Sequence, residues 1–198
     1  FRRVLFRSDD SMAGDSSHWD RLFAEGDRFE VGGLGVEVWL STGHTLASIT
    51  YVVGDAVFAH DTFMVPDSGT SRADFPGGDT GELWDSLQRI LALPGDTRIF
   101  VGHDYGRGGR PPACMATVSE HLEQNIHVAR GATREEFVKT RAARDATLPL
   151  PDRMLAALQV NVRGGRLPPA DGKGRRVLRI PLMRFDREGR LLGELPGG

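Results

Sequence analysis

Three apolar, strand-like runs in this chain each end on a loop that carries an imidazole or a carboxylate, and that repetition limits the folds open to it. Val36, Val38 and Leu40 alternate with Glu37 and Trp39 before Ser41-Thr42-Gly43-His44-Thr45. Ala56, Val57 and Phe58 lead into His60-Asp61-Thr62, and Arg98-Ile99-Phe100-Val101 leads into Gly102-His103-Asp104-Tyr105. Alternation at period two marks strands with one buried face. Nitrogen and oxygen donors delivered from three strand ends are what a metal site at the rim of a sheet requires. Taken singly, each is an ordinary loop residue, a histidine with one backbone hydrogen bond or a carboxylate capping a turn. In the same relation to three strands, they point to a metal-dependent enzyme.

The rest of the chain supplies a mixed α/β frame. Residues 28–31 and 35–40 read as a hairpin turned at Gly32-Gly33, and 48–53 with 56–59 as a second pair turned at Gly54-Asp55. Residues 64–78, rich in Pro and Gly, read as an ordered functional loop. Asp79-Thr80-Gly81-Glu82 has the spacing of a capping box, and the helix it opens places Leu83, Leu87, Ile90 and Leu91 on one face before stopping at Pro94-Gly95. A buried strand follows at 97–101. A second helix is expected over 113–129, with Val118, Leu122 and Ile126 inward. A third starts at the capping box Thr133-Arg134-Glu135-Glu136 and ends before Pro149. The chain then closes on a surface tail with a last strand near 177–182. Strand pairs followed by an αβα run indicate an α/β sandwich.

A net charge of −2 argues against nucleic acid or an anionic membrane surface as the main partner. No apolar run approaches the roughly 20 residues that span a bilayer. The lone Cys114 excludes an internal disulfide framework and is expected to be a small buried hydrophobe. His18, His121 and His127 are expected at the surface or on helices, and a cytoplasmic enzyme is the natural expectation. The opening Phe1-Arg2-Arg3-Val4-Leu5-Phe6-Arg7-Ser8 resembles the in-frame translation of a sequencing-adapter oligonucleotide, so residues 1–8 are set outside the fold, with natural sequence expected from about Asp9.

Gly43-His44-Thr45, Asp61 after a hairpin and His103-Asp104-Tyr105 together resemble the second half of a metallo-β-lactamase-fold enzyme. Thr70-Ser71-Arg72-Ala73-Asp74-Phe75-Pro76-Gly77-Gly78 and Leu158-Gln159-Val160-Asn161-Val162-Arg163 are similar to the persulfide (sulfur) dioxygenase branch, which lies near the glyoxalase II thioesterases. The resemblance implies an αββα sandwich with the metal at one edge. It makes His44 a metal ligand, Asp61 the carboxylate that holds or bridges metals, and His103 the last ligand of a second metal. In the dioxygenases, two His and one Asp hold a single Fe(II), leaving positions open for persulfide sulfur and O₂, and His103 would stand behind the ligands. In the thioesterases the same positions hold two metals, and one or two zinc ions are the alternative to iron. Arg72 would meet a carboxylate of a glutathione-like substrate or pair with Asp74, Tyr105 would offer its hydroxyl to substrate, and Arg163 is matched to the family as a residue near substrate.

Two departures stand out. The family's upstream His-x-His-x-Asp-His motif does not occur in the chain, so the expectation is a catalytically incomplete fragment: residues 9–169 as the C-terminal portion of one domain lacking part of its N-terminal half, and 170–198 as a strand and tail. His60 also stands where the family usually has Gly. The expected substrate is a small-molecule thiol or persulfide oxidised to sulfite, and the expected assembly is a homodimer. The alternatives are a glyoxalase II-like thioester hydrolase and a metal-free, non-catalytic interaction module.

Overall fold

The computed structural model describes residues 4–6, 19–75, 77–149, 151, 153–179, 183–185 and 191–194. Of the described residues, 6 and 23–148 belong to one compact unit, and 4–5, 19–22 and those from 149 onward belong to another. The short strands β1 (Val4–Phe6) and β2 (Arg21–Phe23) precede the main sheet. Most of residues 1–8, and His18, lie outside the described residues.

The main sheet has six strands in the order β3 (Arg28–Val31), β4 (Leu34–Leu40), β5 (Ile49–Val53), β6 (Ala56–His60), β7 (Arg98–Val101) and β8 (Met115–Thr117). Its pairs are antiparallel except β6 and β7, which run parallel. A parallel pair needs a crossover, and the helix α1 (Thr80–Leu91) supplies it. Both hairpins form where the period-two runs place them. The Asp79 carboxylate caps α1 by accepting from the amides of Gly81 and Glu82. Leu83, Leu87 and Ile90 from α1 are fully buried against Val57, Ala59 and Ile99 of the sheet. Each such side chain contributes roughly 1.5–3 kcal/mol of burial free energy. This one covered face fixes which strand ends lie beside the start of α1.

The expected helix over 113–129 is shorter than its apolar content suggests. Met115–Thr117 pairs with β7 as β8, and α2 (Val118–Gln124) begins only at Thr117, whose side chain forms a complete capping box with Glu120. Ile126 therefore falls beyond the helix and is exposed, whereas Val118 is buried. His121 lies on this helix and is fully buried, and Cys114 is exposed rather than buried. The helix α3 (Arg134–Asp145) opens on the expected capping box of Thr133 and Glu136.

In the other unit, the apolar residues 154–158 open the helix α4 (Met154–Asn161). Residues 177–179 form no strand, and 180–182 lie outside the described residues. The terminal hairpin is instead β9 (Met183–Phe185) with β10 (Leu191–Glu194). Among the described residues, no helix is long and apolar enough to cross a membrane.

Candidate metal centre

His44 owes its position to a close approach that only glycine permits. Gly43 has φ +122°, and a Cβ there would lie 2.2 Å from the Leu83 backbone. The Gly43 carbonyl accepts from the Asp79 amide at 2.9 Å, and the Thr42 carbonyl accepts from Ser86 Oγ at 2.7 Å. The loop after β4 is thereby fastened to the first turns of α1, with His44 next along the chain.

His44 Nδ1 lies 2.6 Å from the Arg72 carbonyl. A carbonyl can only accept, so Nδ1 carries the proton and the neutral ring presents a lone pair at Nε2. That lone pair faces Asp61 Oδ2 at 3.8 Å. The distance is too long for a hydrogen bond, yet shorter than the roughly 4.2 Å sum of two metal–ligand bonds to N and O. Two acceptors opposed in this way repel unless a cation or an added proton lies between them. The donor chemistry therefore fits a divalent metal, with His44 Nε2 and Asp61 Oδ2 as the atoms that would hold it.

Asp61 follows a bulge where β6 and β7 lose register between Phe58 and His60. His60 takes up the irregularity with φ +47°, the one positive φ outside glycine among the described residues, and its carbonyl accepts from the Gly102 amide at 3.0 Å. Gly102 must also be small: a Cβ there would stand 2.8 Å from Asp61 Oδ1. His103 Nδ1 meets that same oxygen at 2.9 Å, and its Nε2 meets the Tyr105 hydroxyl at 2.7 Å. Since the carboxylate only accepts, Nδ1 donates to it, and Nε2 shares a hydrogen bond with the Tyr105 hydroxyl. The Tyr105 ring stands edge-on to the imidazole and is 75 % exposed.

The structure thus brings His44, Asp61, His103 and Tyr105 together, but in unequal roles. Both nitrogens of His103 are committed to hydrogen bonds, so it braces the Asp61 carboxylate and would have to turn to become a ligand. Among the described residues, no three His, Cys, Asp or Glu side chains form a ready-made metal cage. What this chain offers is a His–Asp pair with a second His behind it.

Of its two expected roles, Arg72 shows the pair with Asp74. Its guanidinium closes on Asp74 through Nε at 2.6 Å and Nη2 at 2.7 Å, and it lies over the Phe75 ring. Engaging a substrate carboxylate would mean breaking that bidentate pair, and what Arg72 gives the site is its carbonyl. Arg163 belongs to the other unit, where Nη1 donates to the Gln159 carbonyl at 2.6 Å.

Three further groups hold the surrounding loops. Arg110 forks between Asp67 and Asp104. The Asp104 carboxylate, 2 % exposed, also accepts from the Ala113 amide. Arg110, and after it the Ala113 amide, hold the Asp104 pKa far below the ordinary carboxylate range. His127 Nδ1 accepts from the Thr70 amide, and the Asn125 side chain donates to the Gly69 carbonyl. Burial lowers the pKa values of His121 and His127 to about 4, so both are neutral braces. On α3, Arg141 and Asp145 form a buried pair that reaches Thr70 and Ala73. The i,i+4 spacing of Arg141 and Asp145 was a visible signal; their burial was not.

The family profile described as Metallo-beta-lactamase superfamily matches residues 9–103, which include His44, Asp61 and His103. The chain carries a metallo-β-lactamase superfamily domain. It is 58 % identical over 168 residues to a Beta-lactamase hydrolase-like protein of Agrobacterium fabrum, covering 85 % of this chain and 39 % of that protein. It is 39 % identical over 181 residues to Glyoxylase B2 of Dictyostelium discoideum, covering 91 % and 62 %. Among solved structures, ETHE1 from Myxococcus xanthus superposes with a TM-score of 0.66 at 35 % identity, covering 75 % of this chain and 62 % of that one. The chain spans between 39 % and 62 % of the length of these relatives.

Proposed function

We propose that this chain contributes the His44–Asp61 half of a mononuclear iron centre, and that the whole protein oxidises a glutathione-type persulfide. The balanced reaction consumes the persulfide RSSH, O₂ and water, and yields the thiol RSH, sulfite and two protons. Bound Fe(II) would supply a site at which persulfide sulfur and O₂ meet with open coordination positions. His44 is oriented for that role by the Arg72 carbonyl, and Asp61 by His103. Tyr105, an exposed side chain two residues from His103, would meet an incoming substrate with its hydroxyl.

The observation that carries this reading is the commitment of His103. With both its nitrogens hydrogen-bonded, the carboxylate Asp61 and one imidazole, His44, are left for a single ion, which favours one metal over the dinuclear arrangement of a thioesterase. The likeness to Glyoxylase B2 keeps glyoxalase II-like thioester hydrolysis as the second reading. The test uses protein expressed from the complete reading frame and loaded anaerobically with Fe(II). Oxygen uptake and sulfite formation with glutathione persulfide are expected. Thioester cleavage without oxygen uptake would replace the first reading with the second.

A further inference from the structure

The peptide group that joins Arg72 to Ala73 is gripped at both ends by side chains distant in sequence. Its carbonyl accepts from His44 Nδ1 at 2.6 Å, and its N–H donates to Asp145 Oδ2 at 2.8 Å. Asp145 is 3 % exposed, and its other oxygen accepts from Arg141 Nε at 2.9 Å and Nη2 at 2.5 Å. Arg141 Nη1 reaches the Thr70 carbonyl at 3.3 Å. A buried carboxylate is stable only when paired and hydrogen-bonded. Here one of its bonds runs into the single peptide that holds the imidazole. Hydrogen bonds in series polarise one another, more so where water is excluded. A negative charge at the N–H end of a peptide raises electron density at its carbonyl oxygen. A stronger acceptor at Nδ1–H in turn makes Nε2 a better donor, the effect a carboxylate has when it contacts a metal-ligating histidine directly.

We infer that Asp145 is a positioning residue for the metal centre, acting on His44 through the Arg72–Ala73 peptide. The carboxylate–peptide–imidazole chain holds His44 in its Nδ1–H tautomer and strengthens Nε2 towards a divalent cation. This rests on the reading of His44 as a ligand. A purely structural Asp145 would only pin the loop to α3, and charge separates the two roles. Asparagine at 145 keeps an acceptor for the Ala73 amide and removes the charge that polarises the peptide.

The test has a metal-free arm and a metal arm, both on the full chain. In ¹⁵N-labelled, metal-free protein in mildly alkaline buffer, imidazole nitrogen–proton correlations report each tautomer. Wild-type His44 is expected as Nδ1–H with a strongly downfield ring proton. Asp145→Asn is expected to move that proton upfield and to weaken Fe(II) binding, measured against a chromophoric chelator, by about tenfold. Asp145→Glu, which keeps the charge, is expected to recover part of both. Should Asp145→Asn not fold, Arg141→Met/Asp145→Ser removes the ion pair as a unit and is read in the same way. A wild-type His44 in the Nε2–H tautomer, or a neutral variant with unchanged ring proton and unchanged Fe(II) affinity, overturns the inference. If the wild type binds no Fe(II), the metal reading fails, while the ring resonances still decide the relay.

Discussion

Replacing His60 by glycine should stabilise this protein, although it removes a whole side chain. His60 has φ +47° and its imidazole is exposed. A side chain in the left-handed region costs about 1–2 kcal/mol, because Cβ crowds the following carbonyl. Glycine relieves that strain but loses about 0.5–1 kcal/mol through the larger conformational freedom of its unfolded chain. The net expectation for His60→Gly is a gain of about 0.5–1 kcal/mol. With a urea m-value of about 2 kcal/mol/M, the midpoint should rise by about 0.3–0.5 M at constant slope. His60→Ala is the control: it deletes the imidazole and keeps the strained backbone, so its stability should stay within about 0.5 kcal/mol of wild type. A destabilised His60→Gly, or a His60→Ala that gains as much, would refute the strain argument and assign the ring an interaction of its own.

Three further outcomes follow from the same geometry. Burial lowers the His121 pKa from 6.5 to about 4, so below pH 6.5 the unfolded chain binds a proton that the folded chain refuses. Stability from this group is complete above pH 6.5 and is lost as pH falls towards 4, by about 3 kcal/mol; His121→Gln should flatten that part of a pH series of urea melts. Asp104 follows the same sign in a more acidic window: its pKa is also depressed, so its contribution is complete above its ordinary value of 3.8 and is lost only in stronger acid. Arg110→Ala should therefore shift acid unfolding, followed by near-UV circular dichroism, to higher pH. Gly102→Ala places a methyl 2.8 Å from Asp61 Oδ1, so chelator competition should show weakened metal binding while the melting temperature falls only modestly.

Much of the frame was legible along the chain, because strand and helix periods are local properties. Val36, Val38 and Leu83, Leu87, Ile90 announce their buried faces by spacing alone. The start of α2 was missed because the apolar run across Met115 masks the capping signal Thr117-Val118-Ser119-Glu120, which was there to be read. His121 lies on the expected helix, and with that helix beginning at Val118 its fourth residue turns inward with Val118. The meeting of His44, Asp61 and His103 could be anticipated because three strands of one sheet end together. A His103 that stands behind Asp61 and an Arg72 that pairs with Asp74 are both among the expectations drawn from the sequence. That one peptide links Asp145 to His44 could not be anticipated, because it is a fact of folded geometry between residues as much as 72 positions apart.

The claim on which the rest depends is that His44 and Asp61 hold one ion, with His103 outside its ligand set. Metal content per chain after anaerobic Fe(II) loading and desalting, by inductively coupled plasma mass spectrometry, tests it most directly on wild type, His44→Ala and His103→Ala made in the complete protein. The expected result is one iron per wild-type chain, none retained by His44→Ala, and a weakened but still single site in His103→Ala. Two metals per wild-type chain with one lost on His103→Ala, or undiminished iron in His44→Ala, would contradict it.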